Sequence, residues 1–171
     1  TFSPDHPDIQ RDAANPAAPD TAFGAIVAAL AARRAAGVPA FTVMCCDNVP
    51  HNGHVTRDAV VGLCRLSNPE LADWIAATVA FPNSMVDRIT PATGPRERTL
   101  AQSLGLDDAA PVTCERFRQW VMEDTFPTGR PALEKVGVTF TPHVDRFETM
   151  KIRILNGGHA IIAYPGGLAD I

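Results

Sequence analysis

Apolar positions change their spacing several times along this chain, and each change marks an element. Residues 1–20, TFSPDHPDIQRDAANPAAPD, have no periodic apolar pattern and are rich in Pro, Asp and Asn. They predict a surface segment with a short helical turn at most. TAFGAIVAALAARRAAG follows, with apolar residues at helical spacing, Thr21 as N-cap and Gly37 as stop. FTVMCCD, Phe41 to Asp47, is a short apolar run with β-branched and aromatic members. Its length and flanking turn signals predict a buried strand. A helix followed by a buried strand is the repeating unit of an α/β sheet.

Helical spacing returns in VTRDAVVGLCRL (55–66) and PELADWIAATV (69–79), joined by Ser67-Asn68. Asn68 is in place to cap the second of these, with Pro69 at its first position. FPNSMVDRITPAT reads as a loop-rich connector with room for a short strand at its start. PVTCERFRQWVMED mixes strand and helix signals, and VGVTFTP predicts a further strand. From Asp145 onward the pattern is helical, and Asp145 with Glu148 matches a D-x-x-E form of the capping box.

The last helix carries the chemistry. In MKIRILNGGHA, a run otherwise fit for burial includes Lys151, Asn156, His159 and two adjacent glycines. At about 100° per residue, with Lys151 at zero, Glu148 falls at about 60°, His159 at about 80° and Asn156 at about 140°. The four share one side with Ile152 and Leu155, a mixed apolar and ionisable face of the kind that looks into a cleft. Mid-helix Gly157 and Gly158 each cost about 1 kcal/mol against alanine and make sense where another backbone or a ligand comes close. The other reading is that they end the helix, leaving Lys151 and His159 as ordinary surface residues. An amine desolvated in an apolar cleft gives up its proton more readily and can serve as a base. An asparagine amide is a fixed donor to an alkoxide-like oxygen, and a histidine can hold a second hydroxyl.

A second candidate site is CDNVPHNGH, directly after the predicted strand. Ligands of open α/β sheets sit outside the carboxyl ends of strands, which favours a role for Asn48. Asn52-Gly53 reads more simply as turn chemistry.

Composition narrows the partners. The chain has 171 residues, 46% hydrophobic and 20% charged, with a net charge of −4, which suits one domain or pieces of two. No basic stripe points to nucleic acid, and no apolar run reaches the roughly 18 residues of a membrane helix. Cys45, Cys46, Cys64 and Cys114 include no C-x-x-C pair, so free thiols in a cytoplasmic protein are expected rather than disulfides or a zinc site. The five histidines show no i, i+4 pairing. The single tyrosine, Tyr164, is followed by Pro165-Gly166-Gly167, which excludes the Y-x-x-x-K of short-chain dehydrogenases.

CDNVPHNGHVTRDAV, FPNSMVDRITPAT, FRQWVMEDTFPTGRPALEKVGV and ETMKIRILNGGHA together resemble the long-chain, metal-independent polyol dehydrogenases, a family that includes mannitol 2-dehydrogenase and fructuronate reductase. The resemblance runs through nearly the whole chain. It implies an α/β fold: the C-terminal part of a Rossmann-type nucleotide-binding domain over 1–141, leading into the start of a mostly helical substrate domain over 142–171. It implies NAD, or NADP, as cofactor and no metal. In the family motif K-x4-N-x2-H, it implies Lys151 as general base, Asn156 as half of an oxyanion hole completed by Asn48, and His159 as a substrate contact. It places Asp87 in the substrate site and links Glu148 to proton release, a role that competes with the capping box. The expected substrate is a polyol such as mannitol, with its ketose as product. FPNSMVDRITPAT looks more like the mannitol side than the uronate side, and mannonate oxidation is the alternative. There is no G-x-G-x-x-G, so the chain resembles the middle third of such an enzyme. An inactive fragment is the remaining alternative.

Overall fold

The computed structural model describes residues 3–169. The terminal two residues at each end lie outside it, including part of both the expected surface segment and the expected helical domain.

Four helices form the first layer. α1 spans Pro7–Ala14, α2 Ala22–Ala35, α3 Asn52–Ser67 and α4 Pro69–Thr78. α1 corrects the expectation of at most one turn: Pro7 opens it, and the His6 side chain accepts from the Asp8 N–H. The buried Asp12 carboxylate then fastens α1 to the start of α2. It accepts from the N–H groups of Asp20 (2.8 Å) and Thr21 (3.1 Å) and from the Thr21 hydroxyl.

The predicted caps are present. Thr21 Oγ1 accepts from Gly24 N at 3.0 Å, and Asn68 Oδ1 accepts from Leu71 N at 3.0 Å. Gly37 has φ +65°, the left-handed conformation that ends a helix without a Cβ penalty. The helices bury Leu30, Val60, Leu63, Leu71 and Ile75 against one another, together with Val43 and Phe81. Each such side chain contributes about 1.5–3 kcal/mol by leaving water.

A three-stranded sheet follows. β1 (Ser84–Asp87) pairs antiparallel with β2 (Gln119–Met122), and β2 pairs parallel with β3 (Val138–Phe140). Ser84 faces Met122 and Asp87 faces Gln119. α5 (Pro95–Ser103) lies in the connection between β1 and β2. The mixed signals of PVTCERFRQWVMED resolve as strand only at Gln119–Met122.

The run 41–47 is not a strand among the described residues. Val43 is buried, but a single backbone bond, Val43 N to Ala80 O at 3.0 Å, joins it to a neighbour. A strand needs a partner in register along its length, and the described residues offer this run none.

α6 (Val144–Met150) packs on the sheet through Val144 and Phe147. A π-helical turn, Lys151–Asn156, continues into α7 (Gly157–Leu168). The D-x-x-E capping box does not form: α6 begins at Val144 with His143 as its N-cap, so Asp145 sits inside the first turn.

Candidate active site

Three segments far apart in sequence meet around one small cleft. The loop 45–51 brings Asp47, Asn48, Val49 and Pro50. β1 brings Ser84, Met85 and Val86. The junction of α6 and the π turn brings Glu148, Lys151, Ile152 and Asn156. The cleft encloses about 100 Å³.

Lys151 is its centre. Its Nζ donates to Asn48 Oδ1 at 3.1 Å and to the Val86 carbonyl at 2.6 Å. Both acceptors are neutral oxygens, so neither bond is an ion pair. Because Asn48 presents its oxygen to Lys151, its NH₂ group is left to donate elsewhere. Glu148 lies one helical turn before Lys151, and its Oε1 accepts from the His51 backbone N–H at 3.2 Å. His51 has φ +53°, a left-handed conformation uncommon for a non-glycine residue. A backbone donor on the loop that carries Asn48 thus reaches the helix that carries Lys151.

The sequence-derived residues divide. Asn48, Lys151, Asn156 and Glu148 line one cleft. His159 and Asp87 do not. His159 is exposed on α7, and Asp87 ends β1, half-buried, outside the lining residues. His159 lies on α7 beyond the π turn, about two helical turns along the axis from Lys151. No other element's backbone comes close to the paired glycines among the described residues: a Cβ on Gly158 would meet nothing within 4 Å, and one on Gly157 only Ile152 O at 3.7 Å.

The close approach lies instead at Asn52-Gly53, which the sequence reads as a turn. A Cβ on Gly53 would come within 2.4 Å of Phe81 O and 2.6 Å of Pro82 O. Asn52 is fully buried and donates through Nδ2 to Cys45 O (3.1 Å), Asp47 O (3.0 Å) and Ser84 Oγ (3.3 Å), while its Oδ1 accepts from Ser84 N (2.9 Å). Asn83 Oδ1 accepts from Gly53 N and His54 N at the start of α3, and its own amide is held by Glu123. No local signal separates these asparagines from turn residues, because the bonds that tie Asn52 to Ser84 and Asn83 to Gly53 and Glu123 span 30 to 40 positions.

The α/β part of the chain is Rossmann-type, and the helix that follows it brings Lys151 between an asparagine amide and a strand carbonyl. The chain belongs to the mannitol dehydrogenase family: the mannitol dehydrogenase Rossmann domain matches residues 5–135, and the mannitol dehydrogenase C-terminal domain matches residues 143–171. It is 74% identical to mannitol 2-dehydrogenase of Cereibacter sphaeroides over 99% of its own length and 36% of that protein. It is 51% identical to D-mannonate oxidoreductase of Escherichia coli K12, over 95% of this chain and 34% of the other. Its structure superposes on Pseudomonas fluorescens mannitol 2-dehydrogenase, solved as a ternary complex with NAD and D-mannitol. That match has a TM-score of 0.88 and 57% identity and covers 98% of this chain and 34% of that one. The chain therefore spans about a third of the length of these relatives.

Proposed function

We propose that this chain forms the catalytic part of an NAD(P)-dependent, metal-independent polyol dehydrogenase that interconverts a polyol such as mannitol and its ketose. The observation that carries the reading is the position of Lys151, bonded to Asn48 Oδ1 and Val86 O inside the cleft. The likeness to a mannitol 2-dehydrogenase holding NAD and D-mannitol supports it.

In this reading Lys151, as the neutral amine, accepts the proton of the substrate hydroxyl. Two neutral acceptors stabilise the ammonium that results by hydrogen bonding. The amide groups of Asn48 and Asn156 donate to the substrate oxygen as it gains charge. Glu148, beside Lys151 and bonded to the His51 N–H, carries the proton onward to water. Asp87 and His159 lie outside the lining of the cleft, and only the family resemblance supports them as contacts to the remaining hydroxyls of the substrate.

The donor set fits a nicotinamide cofactor. It handles a proton and a developing oxyanion, but lysine, asparagine and glutamate accept no hydride. A bound nicotinamide supplies that acceptor. Asp47 and Val49 line both the Lys151 cleft and an adjoining groove bordered by Thr21 and Phe23. These four would border its nicotinamide end.

Oxidation of a sugar acid is the second reading, supported by the 51% identity to D-mannonate oxidoreductase. The test is nucleotide reduction by the full-length gene product across mannitol, arabinitol, sorbitol and mannonate, with NAD and with NADP. Turnover of a neutral polyol, lost in Lys151→Ala, is the expected result. Turnover of mannonate alone moves the assignment to the sugar acid. No turnover with any of them overturns the reading.

A further inference from the structure

Lys151 is served by two acceptors on separate segments. Asn48 belongs to the loop 45–51, and Val86 belongs to β1. No strand ladder joins them, since the ladder partner of β1 among the described residues is β2. Their spacing must therefore be fixed by something else, and both sides of it converge on one side chain.

Asn52 Nδ2 donates to the carbonyls of Cys45 and Asp47, the second of these being the residue next to Asn48. Its Oδ1 accepts from Ser84 N, and Ser84 lies two residues before Val86 on β1. The Ser84 hydroxyl closes the triangle by donating to the Cys45 carbonyl. Asn52 is 0% exposed and Ser84 2%, so water does not substitute for any of these bonds. Beside it, Gly53 leaves no room for a Cβ against Phe81 O and Pro82, so α3 starts close to the segment that leads into β1.

We infer that Asn52 is a positioning residue for the reaction: its buried amide joins the Asn48 loop to β1 and so fixes the distance between the two oxygens that hold Lys151. The inference rests on the reading of Lys151 as the base. The residue type follows from the partners. Two carbonyls need a donor and a backbone N–H needs an acceptor, all on one short planar group, and among side chains of that length only asparagine offers both. Aspartate has the same shape but only accepts when ionised, and would face two carbonyl oxygens with like partial charge.

The test uses Asn52→Asp in the full-length gene product, alone and combined with Asn48→Ala, beside the parent protein and Lys151→Ala. The measured quantities are kcat, KM for the polyol and KM for the nucleotide. The expected result is a fall in kcat of about 10–100-fold for Asn52→Asp with both KM values within about threefold of the parent, since transition-state contacts are misplaced rather than binding lost. On the Asn48→Ala background the same substitution should cost less than about threefold, because the group it places is already gone. Parent-like kcat, or an equal fold-loss on both backgrounds, overturns the inference and leaves Asn52 a purely structural residue. If Asn52→Asp does not fold, Ser84→Ala, which removes the hydroxyl that accepts from Asn52 Nδ2 and donates to the Cys45 carbonyl but leaves the Ser84 N–H bond to Asn52 Oδ1, takes its place with the same two outcomes. An active parent with an inactive Lys151→Ala isolates the Asn52 result. An inactive parent overturns the base reading and this inference together.

Discussion

Lys151 Nζ and Asn48 Oδ1 lie 3.1 Å apart and 103 residues apart in sequence. That bond ties the loop before α3 to the helical segment that follows the sheet. Losing either one changes the environment of the other.

Lys151→Ala should remove nearly all oxidation, by about 10³-fold in kcat, within the range expected for a lost general base. It should do so with a small loss of stability. Only two hydrogen bonds go with the side chain, each worth about 1 kcal/mol net. Steady-state kinetics and urea unfolding of the same preparation check both halves. A variant retaining kcat within tenfold of the parent would rule out the base assignment.

Asn48→Ala and Asn156→Ala should each lower kcat by about two orders of magnitude, as for a lost oxyanion donor. The loss should be larger for Asn48, because its oxygen also holds Lys151. Comparing kcat with KM separates this from a binding role. A rise in KM at unchanged kcat would make them substrate contacts only.

The glycines make opposite predictions. Gly53→Ala puts a methyl group against the carbonyl of Phe81 and the backbone of Pro82, which cannot rotate away. It should destabilise by about 3 kcal/mol. Gly158→Ala meets open space on α7 and should stabilise by about 1 kcal/mol through helix propensity. Urea midpoints of the two variants should move in opposite directions.

Asp12 predicts a pH dependence. Burial favours its neutral form, but the hydroxyl of Thr21 and the N–H groups of Asp20 and Thr21 outweigh that and hold its carboxyl below the ordinary value of 3.8. A folded-state value below the unfolded one gives stability that is complete above the unfolded value and is lost as pH falls through the folded one. Asp12→Asn should therefore be less stable than the parent at neutral pH, and the gap should narrow as pH falls below about 4. A gap that stays constant down to pH 3 would show that the charge on Asp12 contributes nothing.

Local pattern alone determined the elements whose physics is local. α2 and α4 were legible because their caps, Thr21 and Asn68, act within three residues. β3 was legible because VGVTFTP is bounded by turn signals on both sides. The candidate base and both asparagines were legible because the four quoted motifs resemble one family, and a helical projection put Glu148, Lys151 and Asn156 on one face. Tertiary structure decided the rest. The run 41–47 has strand composition, but a strand is a property of a pair. Asn52, Asn83 and Gly53 look like loop residues until Ser84, Glu123 and Phe81 are brought against them from about 30 or more positions away. His159 falls on α7, past a π turn that the residue pattern does not show, and outside the lining of the cleft. In each case the deciding energy comes from a partner distant in sequence or from a backbone geometry that composition does not encode.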